Sequence, residues 1–220
     1  MRLVARDLSF GYPGGDHQVL SGLACDIPAG VSAAVVGPSG SGKTTLLSVL
    51  GGLATPQQGY FACLDANGVE HIPRDVSTWV LQTVSLMPER SVLDNTCLGG
   101  YLDGATRAVA RRAAMAALDE VGLADRADEP ARVLSGGEAQ RVAIARALTS
   151  TRPVLFADEP TGQLDAATTS LVLDAMFASA RRTLLLVTHD EAAAARCDVV
   201  LRLASGHLEP KEFARGGARV

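Results

Sequence analysis

Eight consecutive residues, Gly37-Pro38-Ser39-Gly40-Ser41-Gly42-Lys43-Thr44, fit the pattern G-x-x-x-x-G-K-[ST] without a gap. Glycines at this spacing let the main chain wrap closely and aim its N–H groups at phosphate oxygens. A helix that opens where the loop closes adds its positive N-terminal end. In that chemistry the Lys43 ammonium reaches the β- and γ-phosphates, and the Thr44 hydroxyl holds Mg²⁺. The chain has two lysines, Lys43 and Lys211, among 20 Lys and Arg. Lysine therefore stands at position 43 in a protein that uses arginine almost everywhere else, where a compact ammonium suits the task better than a planar fork.

The elements around this loop must hold it still. Val31–Val36 is a short apolar run that reads as a strand ending in the glycine-rich turn, and Gly42–Leu53 reads as the helix that follows. Upstream, Leu3-Val4, Leu8-Ser9-Phe10 and Val19-Leu20 alternate with the turn signals Gly14-Gly15 and Pro28-Ala29-Gly30, which predicts a small antiparallel β region. Ala and Leu with spaced Arg over 106–121 predict a helix with one small-residue face, and a second helix is expected over 137–148. Residues 125–132 form a polar, Pro-containing connection between them, so that about 88–135 reads as a helical sub-domain set into an α/β core. The core resumes with strands at 154–157, 183–187 and 199–203 and helices at 166–180 and 190–195. Strands alternating with helices imply a mostly parallel sheet.

Composition narrows the function classes. The 220 residues are 47% hydrophobic and 20% charged, as in ordinary globular chains. A net charge of -4 argues against broad nucleic-acid binding, which draws its affinity from many Lys and Arg contacts to phosphate. No apolar run reaches the roughly 20 residues needed to span a bilayer, and Asp7 arrives before any apolar leader, so no secretory signal is expected. Cys25, Cys63, Cys97 and Cys197 lie far apart without metal-ligand spacing and read as buried thiols.

Further features stand in order along the chain. Leu134-Ser135-Gly136-Gly137-Glu138-Ala139-Gln140-Arg141 places a hydroxyl and glycine amides at a helix start, an anion-binding arrangement. Val154–Ala157 is an apolar run ending in Asp158-Glu159, Gly162-Gln163-Leu164-Asp165 follows, and Thr183–Val187 leads into Thr188-His189-Asp190. Together with Val80-Leu81-Gln82 and Ser9-Phe10-Gly11-Tyr12, this series resembles the ATP-binding cassette (ABC) ATPases over nearly the whole chain, from about Leu3 to Leu208.

The resemblance implies a P-loop ABC ATPase fold, α/β with a mostly parallel core sheet, an N-terminal antiparallel β region and a helical sub-domain. Residues 1–220 would form a single nucleotide-binding domain, with 205–220 as a C-terminal tail. It implies ATP and Mg²⁺ as cofactors. Gly37, Pro38, Ser39, Gly40, Ser41, Gly42, Lys43, Thr44 and Thr45 would hold the phosphates, and Tyr12 would stack on adenine, with Phe10 assigned to the core by strand alternation. Thr44, Gln82 and Asp158 would serve Mg²⁺, Asp158 through water. Glu159 would orient or activate the attacking water, Gln82 would reach that water, and His189 would sense the γ-phosphate. Ser135, Gly136, Gly137, Glu138 and Asp165 would complete a site on a second copy of the chain, giving a homodimer closed over two ATP molecules.

Within that family, Asp158-Glu159-Pro160-Thr161-Gly162-Gln163-Leu164-Asp165 and the strings Leu86-Met87-Pro88 and Ser91-Val92-Leu93-Asp94-Asn95 resemble the MacB/LolD/FtsE group. Gln163 departs from that group's usual Asn, and the stretch between Lys43 and Gln82 is several residues short. The group resemblance implies an integral-membrane permease docked near Thr83–Cys97, and a peripheral place on the cytoplasmic face of the membrane without nucleic-acid partners. It also implies export or extraction of a substrate such as a lipoprotein, drug, peptide or haem. The rival readings are a division-type regulatory ATPase and a DNA-repair-type ABC ATPase. The second normally carries long coiled coils or zinc modules, and no heptads or metal-spaced cysteines occur between Lys43 and Ser135. The loop assignment has a direct test. Lys43→Ala is expected to abolish ATP binding in isothermal titration calorimetry, and an unchanged affinity would remove the assignment.

Overall fold

The computed structural model describes residues 1–14, 17–178 and 182–212. Gly15 of the expected first turn, the end of the expected 166–180 helix and residues 213–220 of the expected tail lie outside the described residues. In chain order the elements are β1 (Arg2–Phe10), β2 (Leu20–Ile27), β3 (Ser32–Val36), α1 (Lys43–Leu50), β4 (Gln58–Leu64), β5 (Glu70–His71), α2 (Pro73–Val76) and β6 (Ser77–Val80). They continue with α3 (Val92–Leu102), α4 (Arg107–Glu120), α5 (Gly136–Leu148), β7 (Val154–Asp158), α6 (Ala166–Ala178), β8 (Thr183–Val187), α7 (Glu191–Ala194), β9 (Val199–Ala204) and β10 (His207–Glu212). Two compact units result. One holds Met1–Ser77, Pro153–Asp158 and residues 182–212, and the other holds Thr78–Arg152 and residues 159–178.

In the first unit, β1, β2, β4 and β5 form an antiparallel sheet in the order β2-β1-β4-β5. The first two strands are the antiparallel region expected from the sequence; β4 and β5 carried no comparable signal. Five further strands of this unit run in the order β10-β9-β3-β8-β7, with β9, β3, β8 and β7 parallel. Every residue of β7 and of β8 is buried, as expected of strands covered on both faces. β10 returns antiparallel to β9 through Ser205-Gly206, both at positive φ, a two-residue turn that suits a tight hairpin. α1 packs on β7 and β8, burying Leu46, Leu47 and Leu50. All four cysteines are buried thiols, and burial pushes Cys25 up to about 11.

The expected helix over 42–53 ends sooner, at Leu50. Gly52 is left-handed (φ 72°), its N–H donates to the Val49 carbonyl, and the Leu53 N–H donates to the Ser48 carbonyl. These two bonds form a Schellman motif, which satisfies the last carbonyls and stops the helix.

The second unit is built on α3, α4, α5 and α6. α4 buries Ala110, Ala114, Ala117 and Leu118, the small-residue face that its sequence announces. The α3 helix, unread in the sequence, contacts α5 most closely at Gly99. A methyl group there would stand 2.1 Å from the Arg146 carbonyl oxygen and 2.3 Å from Thr149 Oγ1. At the end of α3, Asp103 accepts from Ser150 Oγ (2.7 Å), Thr151 N (2.6 Å) and Arg152 Nε (2.9 Å). That carboxylate fixes the chain where it leaves α5. Among the described residues no helix is long and apolar enough to cross a membrane. Because backbone cannot yield at Gly99, Gly99→Ala is expected to cost about 3 kcal/mol. The loss should appear as a lowered urea midpoint.

Candidate nucleotide site

The parallel sheet decides which sequence features meet. Val35 of β3 and Asp158 of β7 are both in register with Val187 of β8. The Thr188 N–H then donates to the Val35 carbonyl at 3.2 Å. The loop after β3, the carboxylate ending β7 and the His189 segment after β8 thus leave one edge of one sheet, where open α/β sheets bind ligands. Asp158 is buried (5% exposed) and Thr188 fully so. Thr188 Oγ1 accepts from Asp190 N at 3.0 Å, and Asp190 Oδ1 caps α7 at Ala192 N and Ala193 N. His189, exposed, is held between these two fixed neighbours. With Gly37, Pro38, Glu191 and Arg202 it lines a cavity of about 470 Å³. Arg202 was not singled out in the sequence. Its only signal is that it takes the exposed place in the alternating pattern of β9.

The loop itself is shaped by its glycines. At Gly37 a methyl group would sit 2.4 Å from the Leu203 carbonyl oxygen, so β9 closes against the loop's first residue. Gly42 is left-handed (φ 96°) and starts α1 without a side-chain cap or any acidic residue in the first turn. The amides of that helix end are therefore not spent on a protein carboxylate, and they suit an external anion. Lys43 Nζ donates to the Gly37 and Pro38 carbonyls at 3.0 and 3.1 Å, which keeps the ammonium at the mouth of the loop. Thr44 is exposed, whereas Thr45 is buried and its Oγ1 lies 3.0 Å from the Tyr12 hydroxyl. Tyr12 is 55% exposed and meets the buried Phe10 edge-on, with ring centroids 5.1 Å apart. Alternation had assigned Phe10 to the core, where it is buried, and the Tyr12 hydroxyl is tied to the phosphate loop.

Gln82, Ser135–Glu138, Glu159 and Asp165 belong to the second unit. Ser135 caps α5 in a reciprocal box. Its Oγ accepts from Glu138 N (3.3 Å), and Glu138 Oε2 accepts from Ser135 N (2.8 Å). Those bonds, first among them the one from the Ser135 amide, hold the Glu138 carboxyl below its ordinary range. The 163–164 segment lies against this turn, since Gln163 Oε1 would be 3.0 Å from a methyl group on Gly136. Asp165 caps α6, accepting from Thr168 N and Thr168 Oγ1, bonds that lower its pKa. Glu159 adopts φ 46°, a left-handed conformation that costs a non-glycine residue free energy and occurs preferentially at functional sites. Gln82 is exposed just beyond β6. In the 83–97 stretch, buried Asn95 accepts from Met87 N (2.7 Å) and donates to the Met87 and Ser91 carbonyls, fastening the loop that precedes α3.

Comparison with known proteins agrees with this arrangement. The profile of the family described as ABC transporter matches residues 20–162. The chain is 40% identical over 207 residues to the Escherichia coli K12 protein named uncharacterized ABC transporter ATP-binding protein YbbA, covering 89% of this chain and 91% of that one. It is 40% identical over 218 residues to the lipoprotein-releasing system ATP-binding protein LolD of Pseudomonas fluorescens, covering 94% and 96%. Among solved structures, the dimeric ABC transporter cassette MJ0796 superposes with a TM-score of 0.87 at 29% identity, over 98% of this chain and all of that one. A post-hydrolysis state of the same cassette with ADP and Pi gives 0.86. The chain with its P-loop, buried Asp158 and serine-capped signature helix belongs to the ABC transporter family, as an ATP-hydrolysing, ATP-binding subunit.

Proposed function

We propose that two copies of this chain close head to tail over two ATP molecules, and that the closing and opening of this dimer drives a MacB-like membrane permease. The observation that carries the reading is a second glycine-containing helix start, that of α5, besides the one at the phosphate loop. The phosphate loop, Asp158 and His189 share one sheet edge, while Ser135–Gly137 form an exposed helix start on the other unit. Each half offers donors to phosphate. The dimeric form of the MJ0796 cassette supports pairing them across two chains.

In this mechanism Gly37–Thr45 grip the triphosphate and Tyr12 stacks on the base. The buried Asp158 carboxylate and the Thr44 hydroxyl are hard oxygen donors of the kind Mg²⁺ prefers, with Gln82 as a third. Mg²⁺ bound there would offset the charge that develops on the phosphates. Glu159 orients or activates the attacking water. His189 holds the γ-phosphate and releases the dimer when that group is lost, a ligand-controlled switch. Ser135, Gly136 and Gly137 of the second copy close on the same phosphate, with Asp165 beside them. The permease would contact the surface around Thr83–Cys97, placing the chain on the cytoplasmic face of the membrane. The LolD relative, matched over nearly its whole length, supports extraction or export of a hydrophobic substrate such as a lipoprotein.

Glu159→Gln provides the test. It should lower turnover at least about a hundredfold, yet retain ATP and shift the chain to a dimer on gel filtration with ATP. A variant that binds ATP and stays monomeric would overturn the sandwich reading.

A further inference from the structure

The signature turn carries an apparent contradiction. The start of α5 is where the proposed dimer brings an ATP phosphate, yet its third residue is Glu138, a carboxylate. A like-charge pair a few ångström apart at a protein surface costs on the order of tenfold or more in affinity. The neighbours of Glu138 resolve this. Its Oε2 is turned back to Ser135 N, and its Oε1 accepts from Arg126 Nη1 at 2.7 Å. Arg126 stands in the short turn Ala124–Arg126 and is itself fixed from the far side. Its Nη2 donates to Glu129 Oε2, and its Nε lies 2.7 Å from Glu129 Oε1. The Arg126 and Glu138 side chains are 28% and 21% exposed, so their pairing is partly shielded from solvent. On the same helix Arg141, held by the Val121 and Gly122 carbonyls, adds a second positive charge that acts on Glu138. Two guanidinium groups thus balance Glu129 and Glu138. Both Glu138 oxygens face protein donors, and the Gly136 and Gly137 amides at the turn have no acceptor within the helix.

We infer that Arg126 is a positioning residue for ATP-driven dimerisation: it turns and neutralises Glu138 so that the start of α5 receives a phosphate instead of repelling it. This rests on the sandwich reading above. The charge account differs from a packing role in one respect. If Arg126 acts by cancelling a charge, removing that charge by other means must make it dispensable. Glu138→Gln does so and leaves the box intact, because Gln serves at this position as well as Glu.

The experiment uses the full chain in the Glu159→Gln background, with ATP titrated against dimer formation by light scattering and with melting temperatures recorded in parallel. Arg126→Gln should raise the half-maximal ATP concentration about tenfold, and the defect should shrink in high salt as charges are screened. The double variant Arg126→Gln/Glu138→Gln should return to within about threefold of Glu138→Gln alone, as expected if the charge is the whole effect. Arg126→Lys keeps the charge but not the planar fork that also reaches Glu129, so it should fall between the parent and Arg126→Gln, and it decides the matter if Arg126→Gln folds poorly. A parent that does not dimerise with ATP overturns the sandwich reading and this inference with it. A dimerising parent overturns this inference alone if Arg126→Gln needs no more ATP, if the double variant is not rescued, or if Arg126→Lys is as defective as Arg126→Gln.

Discussion

The parallel main-chain bonding of β3, β8 and β7 sets the level at which three separate stretches of chain emerge. Val35, Val187 and Asp158 share a register, and a one-residue slip would displace a carboxylate by about 3.3 Å along the strand. These strands are buried on both faces, so inward and outward alternation cannot fix their register. Side-chain packing must do it, with Phe156 and the leucines of β8 and α1 filling the layer without exposure. The hydrophobic core is therefore what holds the phosphate loop, Asp158 and His189 at one edge.

The two glycine-containing helix starts show opposite solutions to the same problem. α1 leaves its N-terminal amides without a side-chain cap or nearby acid, which suits a ligand of high negative charge. α5 has both a cap and an acid, which stabilise the helix on their own, and it then needs Arg126 to balance the acid. A helix end that must be stable alone and also meet a phosphate carries both sets of groups. The Tyr12–Thr45 contact ties the Tyr12 ring to the helix that follows the phosphate loop.

Strain and close approach mark two positions in the second unit. Glu159 is left-handed, immediately after the buried Asp158, and its carbonyl accepts from Gly162 N. That turn re-aims the chain between the end of β7 and the capped start of α6. In the second unit, Gly99 lets two helices meet at backbone distance, and Asp103 secures the chain just beyond α5.

Much of the molecule was legible in the residues. The glycine loop, the apolar strands 154–157 and 183–187, the small face of α4 and the serine-led start of α5 each depend on local periodicity or turn chemistry, which sequence displays directly. The composition also pointed to buried thiols, and all four cysteines are buried. Other features had no local signal. β4 exists because β1 offers it an edge and β5 because β4 does, α3 because Gly99 lets it approach α5, and the early end of α1 because Gly52 turns left-handed. The reach of Arg126 across twelve residues to Glu138 depends on where separate backbone segments lie. The sequence alone determined which groups could bind phosphate, because that chemistry resides in residue types and short spacings. Only the tertiary structure decided which of them share an edge and which charge is cancelled, because register and ion pairing are set by packing between segments far apart in the chain.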